Sequence, residues 1–278
     1  MIIKDIVVNL SVAEGGSYAG DYAVSVAAAL DAHVTGIAFA YDPIVPVAST
    51  GYIPPEVIET QQRDSEEAAK AAMSRFSAAA DRAGVTAEPT MLAASFAGAG
   101  EQFGQIARRF DLAIVGQAEP DRGGSVEELI AESVLFESGR PVIMVPYIQK
   151  APLKLDRVMA CWDGSRQAAR AIADAMPLLE RAGLVEVVIV TNERGKKDEI
   201  PGADMGQHLA RHGLKVDIKR ISEGSIDIAD ALLSHAADFS ADFVVMGGYG
   251  HSRLREFVLG GVTRNILRSM TAPVLMSH

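Results

Sequence analysis

Two stretches of this chain are written twice at nearly the same spacing. Asp111-Leu112-Ala113-Ile114-Val115-Gly116 answers Asp242-Phe243-Val244-Val245-Met246-Gly247, and Arg140-Pro141-Val142-Ile143-Met144-Val145 answers Ala272-Pro273-Val274-Leu275-Met276-Ser277. The offsets are 131 and 132 residues. A duplication at that spacing implies two domains of one architecture. They are expected at 1–147 and 153–278, joined around Tyr147–Leu153, a short polar stretch containing Pro152. Of the 278 residues, 49% are hydrophobic, enough for two real cores, which excludes a disordered tail or a disulfide-stapled mini-protein.

Segments dense in Val, Ile and Leu alternate with longer Ala-rich ones, the pattern of parallel strands buried on both faces and their crossover helices. The expected class is α/β. First-half strands are read at Ile2–Asn9, Val34–Ala40, Thr86–Leu92, Leu112–Gly116 and Pro141–Val145, with helices at Tyr18–Asp31, Pro55–Ala83, Ala99–Phe110 and Val126–Ser138. Second-half strands are read at Arg157–Cys161, Val185–Thr191, Lys215–Arg220, Phe243–Gly247 and Pro273–Met276. Their helices are read at Gln167–Arg181, Pro201–His212, Ile226–Phe239 and Arg255–Met270. The element order is the same in both halves, and their sheets are expected to pack as an internal pseudo-dimer. The first half adds a proline-rich loop between Tyr41 and Pro55, either functional or an inert excursion. The helix after it should be kept solvent-exposed by Asp64-Ser65-Glu66-Glu67.

Lys plus Arg total 26 against 36 Asp plus Glu, a formal charge of −10, so nucleic acid is not an expected partner. The single cysteine, Cys161, excludes a disulfide framework and a cysteine-built zinc site. No apolar run reaches the roughly 18 residues of a membrane span. Met1–Val8 breaks its apolar stretch with charges and reads as a first strand, not a signal peptide. A cytoplasmic protein without membrane partners is the expectation.

Ligands of open parallel sheets bind beyond the carboxyl ends of the strands, where the strand order reverses. At such a place stand Gly247-Gly248-Tyr249-Gly250-His251-Ser252 and, nine residues past Gly250, Gly260-Gly261-Val262-Thr263. Glycines permit close backbone approach, and free N–H groups at a helix start favour anions, so this is a candidate phosphate cradle. Glycine after a strand is equally ordinary turn punctuation. Asp163, in Cys161-Trp162-Asp163-Gly164-Ser165, could accept hydrogen bonds from a ribose or hold a metal ion, or could simply begin the turn that caps the next helix.

Gly247-x2-Gly250-x9-Gly260, preceded by an apolar strand and followed by a helix and Ala272-Pro273-Val274-Leu275, resembles the universal stress protein signature, Gly-x2-Gly-x9-Gly-(Ser/Thr). Asp163-Gly164-Ser165 is similar to that family's opening Val-Asp-Gly-Ser segment, and both halves fit in outline. The resemblance implies tandem universal stress protein domains, each a five-stranded parallel sheet with Rossmann-like winding, in a family where some members bind ATP. It would put Asp163 by the ribose and adenine and line the base with Val190 and Thr191. Gly247, Gly250, Gly260 and the backbone of Gly261 and Val262 would hold the ribose and phosphates. Gly261 stands where the signature has Ser or Thr, which removes a hydroxyl; losing a hydrogen bond to a charged group costs roughly 1.5–3 kcal/mol. Thr263, one half-turn on, is the residue that could compensate, and His251 could add charge when protonated.

The first half departs further. Gln117-Ala118-Glu119-Pro120 follows Gly116, which puts Glu119 at the second motif glycine, and Glu128 falls where Gly260 would stand. Carboxylates there would repel phosphate, and Asn9-Leu10-Ser11 is read as replacing the opening Asp-Gly-Ser. This half is not expected to bind a triphosphate. His208 and His212 are four apart on an expected helix but lack a third ligand, and Gly195-Lys196-Lys197 lacks the rest of a phosphate-binding loop. Cys161 reads as a packed small hydrophobe, and Phe257-Val258-Leu259 and Ile266-Leu267 as core faces.

The implied function is a stress-response protein whose second domain binds ATP or a related adenine nucleotide, with or without Mg, as a nucleotide-dependent regulator of protein partners or of a homodimer. The alternatives are a slow ATP hydrolase, for which no general base is evident, and an interaction scaffold with no nucleotide.

Overall fold

Ten strands form one continuous sheet in the order β3-β2-β1-β4-β5-β10-β9-β6-β7-β8. The computed structural model describes residues 2–13, 16–43, 54–119, 126–191, 202–222, 227–248 and 261–278. In the first half these are β1 (Asp5–Leu10), α1 (Tyr18–Leu30), β2 (His33–Tyr41), α2 (Pro55–Ala83), β3 (Ala87–Ala94), α3 (Ala99–Ala107), β4 (Leu112–Gly116), α4 (Val126–Glu137) and β5 (Val142–Val145). The second half repeats the order: β6 (Arg157–Cys161), α5 (Arg166–Leu179), β7 (Leu184–Thr191), α6 (Ala203–Arg211), β8 (Val216–Ser222), α7 (Ile228–Asp238), β9 (Phe243–Gly247), α8 (Gly261–Ser269) and β10 (Val274–Ser277). The interior of the loop after Tyr41, residues 44–53, lies outside the described residues.

Within each half all pairings are parallel, and the order reverses between β1 and β4 and between β6 and β9. The halves meet where β5 runs antiparallel to β10, Ile143 opposite Leu275. An antiparallel seam relates the halves by an approximate two-fold axis normal to the sheet, which keeps each half's faces in common. One apolar layer therefore runs under α1, α2, α5 and α6, through Tyr22, Phe76, Ile172 and Leu209. The other runs under α3, α4, α7 and α8, through Phe103, Ile130, Leu232 and Ile266. This is the expected α/β class, with the two five-stranded units merged edge to edge into a single three-layered body.

The repeated aspartates have a physical reason. Asp111 accepts hydrogen bonds from the backbone N–H of Lys4 (2.9 Å) and Asp5 (3.1 Å), and Asp242 accepts one from the N–H of Arg157 (3.0 Å). Each aspartate, one residue before the fourth strand of its half, ties that strand to the start of the first. The long α2 buries Ala69, Ala72, Phe76, Ala79 and Ala80 and leaves most of its first turns in solvent, as its charges suggested. It comes so close to β2 that a Cβ at Gly36 would lie 2.8 Å from the Phe76 ring.

Candidate functional site

The carboxyl ends of β6 and β9 adjoin at the second half's switch point, since Val158 pairs with Phe243 and Ala160 with Val245. Three residues past β6 the chain turns at Gly164, which takes φ +75°, a value that favours glycine. The Asp163 carboxylate accepts the Ser165 N–H at 2.9 Å, and the Ser165 hydroxyl accepts the Ala168 N–H at 3.1 Å as the N-cap of α5. Asp163 thus does what its capping reading requires. Its side chain remains exposed, and a carboxylate has acceptor sites beyond the one used.

Gly247 closes β9 directly against this turn. A Cβ there would fall 2.6 Å from the Ala168 backbone N and 2.7 Å from the Gln167 carbonyl carbon. Packing of the strand end on the first turn of α5 is therefore sufficient to require glycine, with or without a ligand. Gly261 is different: it is the first described residue of α8, is exposed, and a Cβ on it would meet nothing within 4 Å. Val262 is half-buried against the α7–α8 layer. Thr263, the residue expected to compensate, is buried, 4% exposed. Val190 packs on the same layer, and Thr191 ends β7 opposite Ser222. Gly250, Gly260 and His251 lie outside the described residues, as do Arg194–Lys197, Phe257–Leu259 and the first residues of the helix expected from Arg255.

Cys161 sits in the wall of an apolar cavity of about 100 Å³ between α7 and α8, with Met159, Leu232, Met246 and Ile266. Burial, reinforced by Asp163, pushes its thiol up to about 12, so it is a packed hydrophobe, as its neighbours suggested. His208 and His212 are exposed and touch edge to face, their ring centroids 4.8 Å apart. Among the described residues no group of three or more His, Cys, Asp or Glu side chains could hold a metal ion. Among them, too, no helix is long and apolar enough to cross a membrane.

At the opposite edge of the sheet the first half's equivalent crevice is filled. The register that pairs Ile6 with Leu112 matches the one that pairs Val158 with Phe243, so Ser11, not Asn9, stands in the place of Asp163. The reading that Asn9-Leu10-Ser11 replaces Asp-Gly-Ser is therefore out by two residues; Ser11-Val12-Ala13 does so, and the aspartate is still missing. Tyr18, the first residue of α1, lies across the end of β4. A Cβ on Gly116 would be 2.6 Å from its hydroxyl, which donates to the Gln117 carbonyl at 2.9 Å. Burial and the nearby Glu127 hold the Tyr41 hydroxyl well above the usual phenol range, which marks an acidic environment at the end of β2. Glu128 stands in the first turn of α4. Neither Tyr18 nor the use of Gln117 is signalled by any local motif, because both act through contacts about 100 residues apart.

The fold defines a doubly wound α/β protein with two switch points, the first of which Tyr18 closes. Comparison with known proteins agrees. Residues 154–278 match the universal stress protein family and form a domain of that family. The universal stress protein Slr1230 of Synechocystis is 25% identical over 179 residues, 60% of this chain and 57% of that protein, so the match spans little more than half of the relative's length. The crystal structure of a universal stress protein from Archaeoglobus fulgidus superimposes with a TM-score of 0.69 at 19% identity, over 98% of this chain and 95% of the other. A universal stress protein structure from Pseudomonas aeruginosa gives 0.56 at 15% identity, over 99% and 93%. The last two show a shared fold across both halves.

Proposed function

We propose that the chain is a tandem universal stress protein, with domains at 1–147 and 153–278, and that the second domain binds ATP or a related adenine nucleotide. In this reading Asp163 accepts from the ribose, Val190 and Thr191 line the base, and Gly247, Gly250, Gly260, Gly261 and Val262 surround the ribose and phosphates. The observation that carries it is the exposed Asp163 carboxylate at the switch point of β6 and β9, with the Gly247 strand end packed against the same turn, inside the segment that matches the family. The first domain binds no triphosphate, because Tyr18 and Gln117 occupy its crevice. Occupancy of the second domain regulates the choice of protein partner in the cytoplasm, without turnover. ATP–Mg titrated calorimetrically into the purified protein tests this, together with nucleotide extracted from it by denaturation. Binding that weakens in Asp163→Ala and Gly250→Glu supports the assignment. An empty extract with no heat of binding leaves an interaction scaffold as the better reading, and phosphate release lost in both variants would make the domain a hydrolase.

A further inference from the structure

Gln117 is the first residue after β4 and is only 5% exposed. Its side-chain amide donates to the carbonyls of Leu267 (2.9 Å) and Arg268 (3.0 Å) in the last turn of α8, across the seam in the other half. The amide oxygen accepts the Tyr147 N–H at 3.2 Å. Its backbone is held as well, since its N–H donates to Val145 O at 2.7 Å and its carbonyl accepts from Tyr18. The last four carbonyls of a helix have no partner inside it, so Gln117 satisfies two groups of α8 that would otherwise need water.

The repeat that equates Gly116 with Gly247 equates Gln117 with Gly248, which has no side chain; a Cβ there would lie 3.3 Å from Leu135. The first half grips α8 in this way, while the second half holds the end of α4 by other side chains: the His278 ring packs edge-on against Phe136, and the Arg170 guanidinium donates to Gly139 O. The described part of α8 has nine residues and spans roughly 13 Å. Its clamped end is the C-terminus; Gly261 and Val262, residues of the proposed site, lie at the other end of the described segment.

We infer that Gln117 is a positioning residue for the second domain: the loop that lost its own phosphate site in the first half braces the helix that forms the site in the second. The inference rests on the nucleotide reading above for its functional consequence, but the brace itself can be tested without nucleotide. Gln117→Met keeps length and packing and removes the amide; Gln117→Glu keeps an acceptor for Tyr147 and removes both donors, which covers the case in which the first variant fails to fold. Arg170→Ala is the control. It deletes another bond across the seam, from the Arg170 guanidinium to Gly139 O, without touching α8. Amide hydrogen exchange over residues 261–269 should speed up about tenfold or more in both Gln117 variants, as two ordinary hydrogen bonds imply, and stay unchanged in Arg170→Ala. ATP–Mg affinity should fall severalfold in the Gln117 variants alone. Unchanged α8 exchange would overturn the brace, and unchanged affinity in variants with loosened α8 would overturn its positioning role. A wild-type protein that binds no ATP would defeat the nucleotide reading while α8 exchange still decides the brace.

Discussion

Gly261→Ser restores the hydroxyl that the signature carries and this chain lacks, at a position where the structure leaves room for it. The residue is exposed, and nothing lies within 4 Å of an added Cβ, so no repacking opposes the change. Serine is a somewhat better helix residue than glycine, and stability should rise by a few tenths of a kcal/mol at most. A hydroxyl bonded to a phosphate oxygen contributes roughly 1.5–3 kcal/mol, which is about tenfold to over a hundredfold in affinity. Calorimetric titration of ATP–Mg into wild type, Gly261→Ser and Gly261→Ala separates hydroxyl from backbone, because alanine adds the Cβ and the helix propensity alone. Tighter binding by the serine variant only is the expected result. If the serine and alanine variants bind alike while all three remain folded, the phosphates do not sit at the start of α8.

Gly247→Ala should destabilise the protein by roughly 1–3 kcal/mol in urea unfolding, since its Cβ would lie 2.6 Å from backbone at α5; a neutral effect would mean that this helix start yields freely. Cys161 keeps its proton in the folded state up to about pH 12 against an ordinary value near 9. The stability it lends is complete below pH 9 and is lost as the pH rises toward 12, so Cys161→Ala should flatten the alkaline decline of the melting temperature, and iodoacetamide should alkylate the native thiol very slowly at pH 8. Identical alkaline slopes would refute this. Glu186 and His235 form a close pair, their side chains 12% and 15% exposed, with Phe239 stacked on the imidazole. His235→Ala strands a buried carboxylate and should cost about 3 kcal/mol at neutral pH; a loss under 1 kcal/mol would show that the carboxylate rehydrates.

What could be read along the chain was whatever is encoded within one element. Alternation of apolar strands with Ala-rich helices placed most elements to within a few residues, because parallel strands buried on both faces need unbroken apolar runs. The turn at Asp163-Gly164-Ser165 was legible for the same reason: a strand end, a positive-φ glycine and an N-cap are consecutive residues. Long-range register was not. The shift of the first half's turn from Asn9 to Ser11 depends on which residue of β1 lies beside Leu112.

The amino-acid sequence by itself determined a duplicated α/β unit and the inequality of its copies, since glycine against glutamate at equivalent positions is a difference of composition. Only the tertiary structure decided how that inequality is used. An antiparallel seam between β5 and β10 brings the end of α8 to Gln117, and a tyrosine at the start of α1 closes the crevice beside it. Hydrogen bonds between groups 99 to 151 residues apart exist only once both halves are folded against each other, so no local pattern in the chain could carry them.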